Sequence, residues 1–422
     1  MKKALIYLTL IVLAFLNSRD AFAIQRFPKP EFESGYTQPE TILPVPRAEM
    51  LAYMDVAALL LALSITSWFV IRKRSRLGVF FTSMVALAYF GFYRKGCVCS
   101  VGSLQNVALA LFDSSYAIPL TVILFFLVPL IFTLFFGRTF CAGVCPFGAL
   151  QDLVAFRPQR MGVRLNAVLG MIPYIYLGLA VLYAATGTDF IICRYDPFVG
   201  IFRMNASFGM FVFAGILLIS GIFIARPYCR FLCPYGVLLN WMSRFSRKHL
   251  TITPSACIQC RLCEDSCPYD AIDIPSEVRN PDSRKHRVRK LIFISILIPF
   301  MVALGAYTGY LAHEPLAGVH KDVRLAKQIL KPEKGANNTE SFEIQAYKSS
   351  GKAMPEALNA ALTVVGKFRK GSQLIGGFLG LVFGLLIASK MLRKYTPDYT
   401  PHKGRCFSCA RCVDYCPVKS ES

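Results

Sequence analysis

The sequence predicts an all-α polytopic membrane protein of about seven transmembrane helices, with an internal repeat and a small cysteine-rich module assembled from two separated segments. Three observations carry this reading. The 422-residue chain is 55% hydrophobic, more than soluble domains usually are, and its mean hydropathy is +0.47. Its apolar residues gather in runs that approach the roughly 20 residues a bilayer requires. The pattern C-x-x-x-C-P-x-G occurs twice, in "CAGVCPFG" from Cys141 and "CRFLCPYG" from Cys229, each directly after such a run.

Taken in order, the N-terminus reads as a secretory signal over residues 1–23. Lys2 and Lys3 precede the apolar core "ALIYLTLIVLAFL", and small residues follow at Ala21–Ala23. A Pro-rich arm covers 24–49, and a membrane domain covers 50–248. Spans begin near Met50, Gly78, Ile118, Asn166, Phe208, Leu291 and Gln373. The basic loops fix the sides. "RKRSR" follows the first span, and Arg157, Arg160 and Arg164 follow the third. "SRFSRKH" and "SRKHRVRK" flank the segment after the fifth, and "KMLRK" follows the last. By the positive-inside rule these mark the cytoplasm of a bacterial inner membrane, with the N-terminus periplasmic and the C-terminus cytoplasmic. The remaining boundaries are a cytoplasmic segment at 249–290, a span at 291–312, a periplasmic loop at 313–370, a span at 371–392 and a cytoplasmic tail at 393–422. Gly376, Gly380 and Gly384 form a close-packing face for a neighbouring helix.

The net charge of +22 follows this topology. No basic domain stands apart from the spans, so nucleic acid is excluded as a partner. Haem is poorly served: the five histidines are His249, His286, His313, His320 and His402, none lies mid-span, and no C-x-x-C-H occurs. No P-loop or hydrolase elbow is present.

The chemistry lies in the fifteen cysteines. "CIQCRLCEDSCP" supplies Cys257, Cys260, Cys263 and Cys267, and "CFSCARCVDYCP" supplies Cys406, Cys409, Cys412 and Cys416. Both are C-x2-C-x2-C-x3-C-P, the bacterial ferredoxin spacing for [4Fe–4S]. Three thiolates of one tight loop reach three irons of a cube, and the fourth ligand belongs to the other cluster. One cluster takes Cys257, Cys260, Cys263 and Cys416; the other takes Cys406, Cys409, Cys412 and Cys267. Zinc sites usually pair two C-x2-C units and need no Cys-Pro, and disulfides need an oxidising compartment.

The two C-x-x-x-C-P motifs offer Cys141, Cys145, Cys229 and Cys233 as a metal site at the inner face, and the glycine after each Cys-Pro reads as a tight turn. A weaker echo lies on the other side in "GCVCSVGSLQN" and "ICRYDPFVG". Cys97, Cys99 and Cys193 there, with Asp196, make an outer metal site, or two of the thiols form a disulfide. The chain thus divides into two repeat units, 78–153 and 166–241, with shared sites at their interface. Sites at opposite faces of a hydrocarbon core about 30 Å thick are far apart. Either the "GSLQNVALALF" and "GALQDLVAF" segments dip inward, or a quinone bridges.

With these motifs the chain resembles the NosR/NapH family of membrane iron–sulfur proteins from about Met50 onward, most of all the membrane half of the NosR type. The resemblance implies two [4Fe–4S] clusters, one or two further sites in the membrane, and electron transfer between a cytoplasmic or quinone donor and a periplasmic acceptor. NosR-type proteins carry a large periplasmic flavin domain where this chain has a short arm. The implied partner is therefore a separate flavin or haem electron-transfer protein or reductase, and the chain is an electron-transfer subunit rather than a stand-alone enzyme. The alternative is a CcoG-like maturation or regulatory factor that reduces a metal such as copper.

Overall fold

The computed structural model describes residues 48–96, 99–252, 257–275, 284–330, 354–391 and 398–418, with 344, 347 and 396. The expected signal peptide, nearly all of the Pro-rich arm, and Cys97 lie outside the described residues. Among the described residues the regular structure is helical except for a two-stranded antiparallel sheet, β1 (Ile272–Asp273) with β2 (Thr400–Pro401).

Five helices are long and apolar enough to cross a membrane: Glu49–Lys73, Arg76–Tyr93, Arg164–Ala185, Lys285–Leu311 and Met354–Ser389. The pair Pro197–Arg203 and Phe208–Phe223, bent by 109°, adds a sixth if it is counted as one span. The expectation of about seven exceeds this because two of the apolar runs form short helices. Leu120–Phe136 has 17 residues and Phe208–Phe223 has 16. At 1.5 Å per residue each covers roughly 25 Å of a core about 30 Å thick. Gly137 (φ 74°) ends the first, and Arg226 (φ 50°) turns the chain after the second. In both places left-handed backbone redirects the chain into a cysteine motif.

The motifs themselves start helices. Cys99, Cys145, Asp196 and Cys233 are the N-caps of Ser100–Phe112, Pro146–Val154, Pro197–Arg203 and Pro234–Arg244. Proline suits the first helical position, where its missing N–H has no partner to lose. The expected tight turns at Gly148 and Gly236 are not found, since both lie inside these helices. Their lack of a side chain admits arginines instead. A Cβ on Gly148 would stand 3.2 Å from the Nη1 of Arg226, and one on Gly236 would stand 3.4 Å from the Nη2 of Arg138.

The region read as a loop at 313–370 contains the helices His313–Ala317 and Lys321–Leu330, and the last helix runs unbroken from Met354 to Met391 across the expected boundary. Phe368 and Ala361 of that helix pack with Leu182, Val323 and Ala326. Its later half lies against Arg284–Leu311. A Cβ on Gly376 would meet the carbonyl of Gly305, and one on Gly380 the carbonyl of Met301, so the glycines bring two backbones into contact.

Candidate metal centres

The two ferredoxin runs meet. Ile272 pairs with Pro401 and Asp273 with Thr400, and the His402 N–H donates to the Ala271 carbonyl at 2.8 Å. The loops also fold alike. Gln259 and Arg261 in the first (φ 53° and 64°) correspond to Ser408 and Ala410 in the second (φ 55° and 59°). Alternating left-handed residues turn backbone N–H groups to one side, forming a concavity suited to an anion. The Ser408 N–H lies 3.3 Å from Cys406 Sγ. Cys267, Cys406, Cys409 and Cys412 line one cavity, so the fourth cysteine of the first run faces the first three of the second. Cys263 lies in electrostatic reach of Cys257 and Cys260, and Cys416 Sγ lies 3.5 Å from the Val418 carbonyl. Burial, more than the neighbouring thiols, pushes Cys263 up to about 11 and Cys406 and Cys409 up to about 12. Loading an iron–sulfur group must therefore release their protons.

The four thiols of the C-x-x-x-C-P motifs also converge. Cys233 stands within electrostatic reach of Cys229, Cys145 and Cys141, and all four are at most 9% exposed. N–H donors aim at their sulfurs: Gly236 N at Cys233 and Gln151 Nε2 at Cys229, both at 3.3 Å. Such donors stabilise thiolates that ligate metal. Among the described residues no three Cys, His, Asp or Glu side chains close on a point as a lone metal ion requires. Four cysteine donors are the ligand type and number that an iron–sulfur group takes.

The outer set is less complete. Cys99 and Cys193 are free thiols in electrostatic reach of each other. Gly102 allows the approach, since a Cβ there would stand 3.1 Å from Cys193 Sγ. Asp196 has other partners. Its Oδ1 accepts from Phe198 N at 2.9 Å and Val199 N at 3.2 Å, and its Oδ2 accepts from the Tyr228 hydroxyl at 3.1 Å. The aspartate read as a ligand thus caps a helix and ties the outer motif to the inner one. Nor are the two sets separated by the membrane's depth. Cys99 and Cys145 line the same cavity, with Leu59, Phe90, Phe140 and Phe147.

Two pairs of residues escaped the sequence reading. Gln105 and Gln151 stand at the same offset after Cys99 and Cys145. Gln105 Oε1 accepts from Ile192 N at 2.9 Å, and Gln151 Oε1 accepts from Tyr228 N at 2.9 Å, so each ties its helix to a cysteine motif far along the chain. Arg138 and Arg226 stand at the same offset before Cys141 and Cys229, and both are buried. The equal offsets were the available signal.

Fold and site resemble those of membrane-type, ferredoxin-like [4Fe–4S] proteins. A 4Fe-4S binding domain model matches residues 118–164 and again 206–253, once over each C-x-x-x-C-P motif, and another matches 250–273. Among characterised proteins the chain is related to NirI and NosR. It is 31% identical to protein NirI of Paracoccus denitrificans, over 48% of this chain and 31% of NirI. It is 26% identical to the regulatory protein NosR of Pseudomonas aeruginosa, over 60% of this chain and 40% of NosR. It is 24% identical to the putative electron transport protein YccM of Escherichia coli, over 33% of this chain and 43% of YccM. The chain thus spans less than half the length of each of these relatives. No solved structure matches.

Proposed function

We propose that the chain is an inner-membrane electron carrier that relays electrons between a cytoplasmic or quinol donor and a periplasmic flavin or haem protein or reductase. In this reading the seven apolar runs all lie in the bilayer, the two short ones completed by the motif helices that follow them. The twice-matched domain supports two repeat units. The basic loops support a cytoplasmic ferredoxin module, and Cys416 joins Cys257, Cys260 and Cys263 there.

One observation carries the reading: three thiol sets are linked in series by shared neighbours. Cys267 with Cys406, Cys409 and Cys412 encloses one cavity. Arg138, over the Phe407 ring of that module, also lies 3.7 Å from Cys141 Sγ in the next set. Cys145 of that set shares a cavity with Cys99. Bound [4Fe–4S] clusters supply one-electron carriers whose potentials follow burial and hydrogen bonds to sulfur. The left-handed loops orient backbone N–H groups, Gln151 holds a donor on Cys229, and Phe140, Val144 and Phe147 keep water from the inner thiols. Cys193, exposed beside Cys99, is the point from which an outer acceptor is reached.

The test uses full-length protein in sealed vesicles with a reductant inside and an impermeant acceptor outside. Wild type reduces the acceptor. Cys193→Ser stops that transfer while the ferredoxin clusters stay reducible, and Cys416→Ser alters the spectrum of the cluster on Cys257, Cys260 and Cys263. Unchanged transfer in Cys193→Ser would defeat the relay.

A further inference from the structure

The two matched arginines have so far only a place. Both are buried, Arg138 at 5% and Arg226 at 0% exposure, and they close on one ring from either half of the membrane domain. The Arg138 guanidinium lies 4.1 Å from the centre of Phe407 and that of Arg226 lies 5.6 Å from it. Phe407 directly follows Cys406. Its ring is 4.7 Å from that of Tyr269, which follows Cys267-Pro in the other run. A ring of the ferredoxin module is thus held between two cations of the membrane domain.

The cations differ in their counter-charges. Arg226 is complete: its Nε and Nη2 reach Asp152 at 2.7 and 2.5 Å, and its Nη1 donates to the Cys141 carbonyl. Arg138 donates Nη1 to the Gly404 carbonyl at 3.3 Å and sets Nη2 3.7 Å from Cys141 Sγ, while among the described residues its Nε has no partner. Among the described residues no carboxylate pairs with it. A buried guanidinium lacking an anion is far costlier than an unpaired neutral donor. What faces it is sulfur: Cys141 on one side and Cys406, within electrostatic reach, on the other.

We propose that Arg138 is the buried counter-ion of the two thiolate sets it separates, the Cys141–Cys145–Cys229–Cys233 set and the set around Cys406. The inference rests on the reading that both sets hold iron–sulfur clusters. Arg138 is a charge-balancing and positioning residue, not a ligand. Its positive charge favours the reduced, more negative state of the adjacent centre, so neutralising it lowers the midpoint potential. With the iron stripped the anionic group is gone, and the same substitution then relieves an unpaired cation. The effect on stability must change sign between the two forms, which a merely structural role would not produce.

The experiment takes full-length protein in detergent, as purified and after chelation of the iron. Iron content, potentiometric titration and thermal unfolding are measured for Arg138→Gln and Arg138→Lys. Arg138→Gln should retain iron and shift the membrane centre about tenfold toward the oxidised form, which is about 59 mV for a one-electron couple. It should melt below wild type when loaded and above it when stripped, and Arg138→Lys should restore most of the potential. If the Gln variant does not accumulate, Arg138→Met fills the same space without charge. Iron lost from both neutral variants but kept in Arg138→Lys is the same result in stronger form. An unchanged potential with iron retained, or a stability change of one sign in both forms, overturns the counter-ion and leaves the relay standing. If Cys229→Ser removes no iron, the membrane set holds no cluster and both readings fall.

Discussion

The inner and outer cysteine sets arise from matching motifs, yet the fold completes them differently. On the inner side four thiols are buried together, and Gln151 gives Cys229 an N–H donor. In the other set the matching Gln105 accepts from Ile192 N by its Oε1, but among the described residues its Nε2 has no partner. The residue matching Cys233 is Asp196, whose oxygens cap a helix and accept from Tyr228. Cys193 is exposed, whereas its counterpart Cys229 is 9% exposed. Matching motifs thus accompany a closed set of four buried thiols and a more open set with an exposed Cys193.

The largest test of this contrast is iron content. Cys233→Ser should remove about four irons, one cubane. Cys193→Ser should remove fewer while abolishing delivery to an external acceptor. Equal iron losses would erase the contrast. The ferredoxin loops give a third reference. Cys406 and Cys409 lie near 12 in the iron-free protein, so both are protonated at neutral pH and must lose those protons on loading. Cluster affinity in reconstitution should therefore rise with pH, by about tenfold per unit for each proton released. A flat profile between mildly acidic and mildly alkaline buffer would show that the thiolates are already formed.

A subtler pair compares Gln105→Ala with Gln151→Ala. Each strands a buried backbone N–H, which costs about 1–3 kcal/mol and lowers the melting temperature. Only Gln151→Ala also removes a donor from sulfur, so only that variant should shift a cluster potential in a redox titration. Shifts in both would mean that the outer set is as fully built as the inner one. The smallest effect belongs to Asp196→Asn. Asparagine caps helices about as well as aspartate, so stability should change by only a few tenths of a kcal/mol. Iron content should hold, and a clear loss would return Asp196 to the ligand set.

Residue type and spacing along the sequence determined the cofactor class. Three thiolates at ferredoxin spacing suit a tight loop, and the two runs do meet, with Cys267, Cys406, Cys409 and Cys412 lining one cavity. Spacing likewise indicated the pairing of the two C-x-x-x-C-P motifs and the packing face at Gly376 and Gly380, because these depend on local period and side-chain size. Tertiary structure decided what depends on direction and depth. Hydropathy counts apolar residues but does not reveal that two helices stop at Phe136 and Phe223, short of a full span. Composition cannot separate an aspartate that ligates from one that caps a helix, since the difference lies in which N–H groups reach its oxygens. The closeness of Cys99 to Cys145, and the meeting of Arg138 and Arg226 on Phe407, join residues far apart in the chain. Contacts of that kind exist only once the two halves have packed, because packing alone fixes which buried charge lies beside which sulfur.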